Sequence, residues 1–155
     1  MKLGRRIRRS RRGDFEVSLS ADERELLRGL PAQLRTLLND TSDPDLRRLF
    51  PPAHAEDAEL EQEYRRLVHD DLLSGHRASL EVMEATVDAK RLDEAQLNAW
   101  MGAINDMRLV LGTRLNVTED QKPLDPDDPR SPAMALYGYL SWLQEQVVEA
   151  LAGGL

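Results

Sequence analysis

The sequence predicts a mainly α protein, a helical bundle of about four major helices with an N-terminal β-hairpin. Three observations carry that reading. Apolar residues alternate at period two only before residue 20, with Ile7 and then Phe15, Val17 and Leu19 placed around an "SRRG" turn. Beyond that point apolar residues recur at helical spacing. Pro, Gly and capping residues bound those stretches where helices should begin and end.

Taken in order, "SADE" sets a capping box from Ser20 to Glu23, and Leu26, Leu27, Leu30, Leu34, Leu37 and Leu38 form the inner face of a first helix. Pro31 is expected to kink it. In "SDPDLRRLFPP", Asp43 caps a short helix with Pro44 at its first position, and Pro51 and Pro52 end it. From Asp57 to about Ala89 the only breaker is Gly75, so one long helix is expected. Its stripe reads Leu60, Tyr64, Leu67, Ala78, Val82 and Ala85, with a second stripe of Val68, Leu72, Ser79 and Met83 beside it. Asp93 caps the next helix with Gln96 in the box position, and Leu92 and Leu97 stand at hydrophobic-staple positions. Its inner face is Leu97, Trp100, Met101, Ile104, Met107, Leu111 and Leu115. The run "TEDQKPLDPDDPRSP" holds four prolines and five acids, which predicts a mobile linker. Ser131 and Pro132 start the last helix, with a stripe of Ala133, Leu136, Leu140, Leu143, Val147 and Leu151 and with Gly153 and Gly154 past its end. The expected organisation is one domain: basic arm and hairpin 1–19, helical core 20–115, acidic Pro-rich linker 116–131, and C-terminal helix 132–152.

Composition narrows the chemistry. A chain of 155 residues that is 41% hydrophobic and 32% charged fits a soluble globular protein. The absence of cysteine removes disulfides, thiolate metal sites and thiol nucleophiles. No apolar run approaches the roughly 18 residues of a membrane span, and the basic N-terminus lacks a signal-peptide core, so a cytoplasmic protein with no membrane contact is expected. The net charge of −7 is uneven. Residues 1–13 carry Lys2, Arg5, Arg6, Arg8, Arg9, Arg11 and Arg12 and no acid, a local +7, which leaves −14 on residues 14–155. The arm is therefore a candidate anion-binding element on a body that repels nucleic acid. Two roles are open to it: gripping phosphates, or pairing with the acidic body. The arm has no aromatic residue to stack on single strands, and because its charges face a body of net −14 any nucleic-acid contact is expected to be weak, non-specific and salt-dependent.

No catalytic signature stands out. The histidines His54, His69 and His76 and the "HDD" at 69–71 invite a metal reading, but His69 and His76 are seven residues apart, roughly 10 Å along one helix. Chelation from a single helix uses neighbours one turn apart. The acidic pairs Glu56/Glu59 and Glu81/Glu84, with Asp88 beyond, resemble the carboxylate layout of helical nucleotide pyrophosphohydrolases. Placed on one helix they cannot share an ion, and a solvated face is expected. No metal and no cofactor is expected.

Two polar residues interrupt apolar stripes. Asp71 lies among Leu60, Tyr64, Leu67 and Ala78, and Arg108 lies among the inward residues of the next helix. A turn near Arg91 makes these helices antiparallel neighbours, and the offset of Asp71 and Arg108 from it differs by roughly 4.5 Å, which an arginine spans. The expectation is a partly buried Asp71–Arg108 ion pair, with Gly75 allowing close approach. An anion site at Arg108 is the alternative. On the last helix Trp142, flanked by Tyr139, points away from the leucine stripe. It either lies between layers of the same chain or offers a contact to a second copy or another protein.

The stretches "EYRRLVHDDLL" and "AINDMRLVLGTRLNVTED", following an Arg-rich start and "LSADERELLRGL", resemble an uncharacterised actinobacterial family of small proteins with a domain of unknown function. The resemblance spans essentially the whole chain, and the second stretch is its most specific part. The family brings no activity, cofactor or catalytic residues to carry over. Its members are often encoded beside the adaptor of the Clp protease, which implies proteostasis or regulation. The leading expectation is a non-enzymatic regulatory or protein-interaction protein, a homodimer being one form it can take. The alternative is a small metal-dependent hydrolase or nucleotide-handling enzyme.

Overall fold

A computed structural model describes residues 4–51 and 56–153; Lys2, Pro52, His54 and Gly154 of the sequence reading lie outside those residues. The N-terminal hairpin forms as expected. Strands β1 (Ile7–Arg9) and β2 (Phe15–Val17) pair antiparallel, with Ile7 opposite Val17 and Arg9 opposite Phe15. The turn uses Gly13 at a φ of 90°, and the Ser10 hydroxyl donates to the Asp14 carboxylate across it. A further strand, β3 (Arg91–Leu92), adds to the other edge of β2 and sets Leu92 opposite Phe15. Two residues are too few to show an alternating pattern.

Helix α1 (Ala21–Leu37) begins with the expected capping box and runs through the buried Pro31. Arg24 donates to the carbonyls of Val87, Ala89 and Val17 at 2.7, 3.1 and 3.3 Å. One guanidinium thus satisfies carbonyls just past the end of the long helix and ties them to the sheet. After α1, Asp43 caps a single 3₁₀ turn at Pro44–Leu46. Helix α2 (Ala58–Thr86) starts on Asp57, and α3 (Glu94–Leu115) starts on the Asp93/Gln96 box and ends on Asn116 in the left-handed region, φ 53°. Residues 116–130 carry no helix or strand, and α4 (Ser131–Ala152) follows with Pro132 in its first turn. Helix α3 packs against both α2 and α4, and α1 lies on α2.

The core gathers from every element, with Ile7, Phe15, Leu27, Leu80, Trp100 and Leu143 all fully buried. Trp100 donates its indole N–H to Thr86 Oγ1 at 2.7 Å, which satisfies the one polar atom of that ring. Of the two stripes expected on α2, the second holds in part, with Met83 buried and Ser79 against Gly102 of α3, and the first turns outward. Leu60 and Leu67 are 47% and 68% exposed, and the inward residues are Leu80 and Met83, continued by Val87. One turn before Leu80 on this face is His76 and two turns before is Leu73, so a histidine interrupts the apolar count on the face that packs. Gly75 faces open space, so it does not provide the close approach expected of it. Gly102 of α3 provides it instead, since a Cβ there would lie 3.1 Å from Ser79 Oγ.

Candidate functional site

The expected Asp71–Arg108 pair does not form. Asp71 is exposed on α2, and Arg108 turns to α4, donating from Nε to Ser141 Oγ at 3.0 Å and from Nη1 to Gln144 Oε1 at 2.7 Å. Its guanidinium carbon also lies 5.7 Å from the centroid of the Tyr137 ring. The physical reason is rotational. Because α2 packs through its Leu80–Met83 face, the stripe holding Asp71 turns to solvent, and on α3 the position facing α2 is Asp106. Arg108, two residues on, looks to the other neighbour.

The charged contact between α2 and α3 is therefore His76 with Asp106, beside the Trp100–Thr86 hydrogen bond. Nδ1 of His76 lies 2.7 Å from Asp106 Oδ2, and Nε2 lies 2.9 Å from the Leu49 carbonyl. Both partners are acceptors, so the imidazolium form alone satisfies both bonds at once. Burial works against that charge, but the hydrogen bond and charge of Asp106, with the Leu49 carbonyl, hold the His76 pKa above its ordinary value. Asp106 itself is only 5% exposed. Neither residue was singled out for this contact from the sequence. The available signal was the spacing of Ala103, Asp106 and Val110, which puts a carboxylate on a buried stripe.

Phe50 separates the two described histidines. Its ring stacks on His69 at 4.9 Å and meets His76 edge-on at 5.4 Å. His69 Nε2 is 3.3 Å from Thr41 Oγ1. Among the described residues no group of three or more His, Cys, Asp or Glu is placed to hold a metal ion. Of the acidic positions on and beyond α2, Glu84 receives Arg35 at 2.8 and 3.0 Å and Asp88 receives Arg28 at 2.8 Å. Both tie this end of α2 to α1.

The basic arm divides into two sets. Arg6 and Arg9 are structural. Arg6 donates from Nε to Glu23 Oε1 at 2.7 Å and from its backbone N–H to Gln146 Oε1 at 3.0 Å, and it lies 5.6 Å from the Trp142 ring. Arg9 covers the Phe15 ring and donates to the Leu151 carbonyl at 3.2 Å. Glu23 also accepts from the Ser20 backbone and from Tyr139 Oη at 2.7 Å. Burial alone would raise the Glu23 pKa, but those donors bring it below its ordinary value. Burial and the Glu23 charge push Tyr139 far above the ordinary phenol value. Trp142 is partly buried against the core with Tyr139 beside it, ring centroids 5.9 Å apart. Of the two placements the sequence left open for Trp142, the indole lies partly buried within the chain, with Arg6 of the hairpin against its ring.

The second set is Arg5, Arg8, Arg11 and Arg12. All four are exposed, and among the described residues none has a carboxylate partner. Arg8 stands opposite Glu16 in the hairpin, but Glu16 is taken by Arg91 at 3.2 Å. The hairpin is anchored at Arg6 and Arg9 and presents the remaining four cations outward.

A small helical protein with a bolted basic hairpin defines the class. The chain belongs to the family described as a domain of unknown function, DUF2017, which it matches over residues 4–151. It is similar to a putative oxidative stress regulator AosR of Mycobacterium leprae, 33% identical over 155 residues that cover 88% of this chain and 70% of that protein. It is also similar to the oxidative stress regulators AosR of Mycobacterium tuberculosis and Mycobacterium bovis. Each is 26% identical over 180 residues, covering 90% of this chain and 83% of the relative. No solved structure matches the chain. No helix among the described residues is long and apolar enough to cross a membrane.

Proposed function

We propose that this chain is a non-enzymatic regulator that works by contact, docking an acidic surface of a partner protein onto Arg5, Arg8, Arg11 and Arg12. The observation that carries the reading is the division of labour in the hairpin, where two arginines fix the element and four stay free. Preordering lowers the entropy lost on binding, and exposed cations steer an acidic partner in. A protein partner is favoured over nucleic acid because a duplex presents negative charge along its whole length to the strongly acidic body, whereas a protein can confine its acid to one patch facing the hairpin. The relatives' printed role in oxidative stress supports regulation as the process. With no cysteine in these 155 residues, thiol oxidation is not a chemistry this sequence can use.

The test compares wild type with the variant carrying Arg5→Gln, Arg8→Gln, Arg11→Gln and Arg12→Gln, using labelled polyglutamate and a labelled DNA duplex at several salt concentrations. The proposal expects polyglutamate binding that the quadruple variant loses, and duplex binding that is weaker and non-specific. With four phosphates met, the slope of log K against log salt is about −3.6 at most. Sequence-selective, salt-insensitive duplex binding would replace the proposal with nucleic-acid recognition.

A further inference from the structure

Between α1, α3 and α4 lies a cavity of about 470 Å³. Its walls are apolar: Leu34 and Leu37 of α1, Met107 and Leu111 of α3, Leu136 and Leu140 of α4. Packed interiors hold few voids larger than a water molecule, whereas small-molecule sites occupy about 300–1,000 Å³. Leu37, Leu111 and Leu136 pack against the core yet stay only partly buried, and all three line this cavity. They are inward-facing leucines whose last surface has no protein to cover it.

The rim decides what chemistry fits. Of its two charged residues, Arg114 is paired with a carboxylate and Asp40 is hydrogen-bonded but has no cation partner among the described residues. Arg114 donates to Asp45 at 2.7 Å, and Asp40 accepts from the backbone and hydroxyl of Ser42, which lowers its pKa. The rim therefore offers no free cation to a carboxylate or a phosphate, and the Asp40 charge repels either, which argues against a fatty acid or a nucleotide. Two amides also stand at the rim. The Asn39 carbonyl accepts from Arg77 at 3.1 Å, which leaves its N–H₂ free, and the Gln33 side chain makes no hydrogen bond among the described residues. From this geometry we infer that the cavity binds an uncharged, mainly apolar small molecule bearing one hydrogen-bonding group. Its apolar body fills the leucine-lined space and its polar group meets Gln33 and Asn39 at the mouth. The site lies on elements apart from the hairpin arginines, so it stands or falls independently of the contact surface proposed above.

The test uses N-phenyl-1-naphthylamine, a neutral aromatic amine that fluoresces in apolar surroundings, with decanoate as the charged comparison. Wild type is expected to bind the amine saturably at one site and decanoate at least about tenfold more weakly. Leu136→Trp and Leu37→Trp, made separately, place an indole in the cavity and are expected to weaken amine binding by about tenfold or more without lowering the melting temperature. Methyl NMR on the wild type maps the site without any substitution, with shifts expected at Leu34, Met107 and Leu140. Lack of saturable binding by wild type, undiminished binding by both folded variants, or methyl shifts confined to other residues would overturn the assignment.

Discussion

His76 and Asp106 stand fifteen residues to either side of Arg91 and meet with 2.7 Å between Nδ1 and Oδ2, so the α2–α3 hairpin closes on a register-matched ion pair. The second ring nitrogen holds the Leu49 carbonyl, which ties the segment after α1 to the same point. His76 has a folded pKa above its ordinary value, so its stabilising contribution is complete below the unfolded-state pKa and is lost as pH rises through the folded value. Thermal unfolding followed from mildly acidic to mildly alkaline pH should show wild type losing stability across that window, and His76→Gln should flatten the dependence. In Asp106→Asn the imidazole NMR titration should move to lower pH, with a stability loss of roughly 1.5–3 kcal/mol at acidic pH. An unchanged titration would remove the pair.

Asp71 and Arg108 should behave independently. Asp71→Leu changes an exposed side chain and is expected to alter stability by no more than about 0.5 kcal/mol. Arg108→Met strips two hydrogen bonds from α4 and should cost about 1–2 kcal/mol. Denaturant unfolding of both single variants and the double variant should give additive losses, whereas a coupling above about 0.5 kcal/mol would mean that the side chains interact.

The Trp142 indole is covered by the hairpin through Arg6, so its truncation should be felt as lost packing within the chain. Trp142→Ala is expected to destabilise by about 3 kcal/mol while leaving the sedimentation coefficient unchanged. A change of oligomeric state at constant stability would instead assign Trp142 to a contact between copies.

Tyr139→Phe removes one of the donors holding Glu23 and should loosen the seat of Arg6. Amide exchange at Ile7 and Val17 should accelerate, with a stability loss of about 1.5 kcal/mol. Because the Glu23 pKa is lowered, its contribution is present above the unfolded-state value and disappears as pH falls through the folded one. Exchange rates in Tyr139→Phe equal to those of wild type would show that the hairpin is held by other contacts.

Local signals were readable and rotational ones were not. The Ser20/Glu23 and Asp93/Gln96 boxes depend on residues three apart, and each appears where the sequence puts it. The buried face of α2 depends on which neighbour arrives, and a stripe of Leu60, Tyr64 and Leu67 looked more apolar than the one containing His76. With that stripe turned to solvent, Asp71 is exposed and Arg108 bonds to α4. Equal distance from the turn at Arg91 places His76 and Asp106 side by side once α2 is rotated onto its Leu80–Met83 face. Strand β3 was too short to show periodicity, and the free arginines became separable from the structural ones only when Glu23, Gln146 and Leu151 came together in space.

Chemical-shift mapping on labelled protein during a polyglutamate titration tests the proposed contact surface most directly. The account predicts perturbations centred on residues 5–13 that vanish when Arg5, Arg8, Arg11 and Arg12 are changed to Gln, with the Ile7–Val17 pairing intact in both proteins. Perturbations centred on α2, or an undiminished response in the quadruple variant, would contradict it.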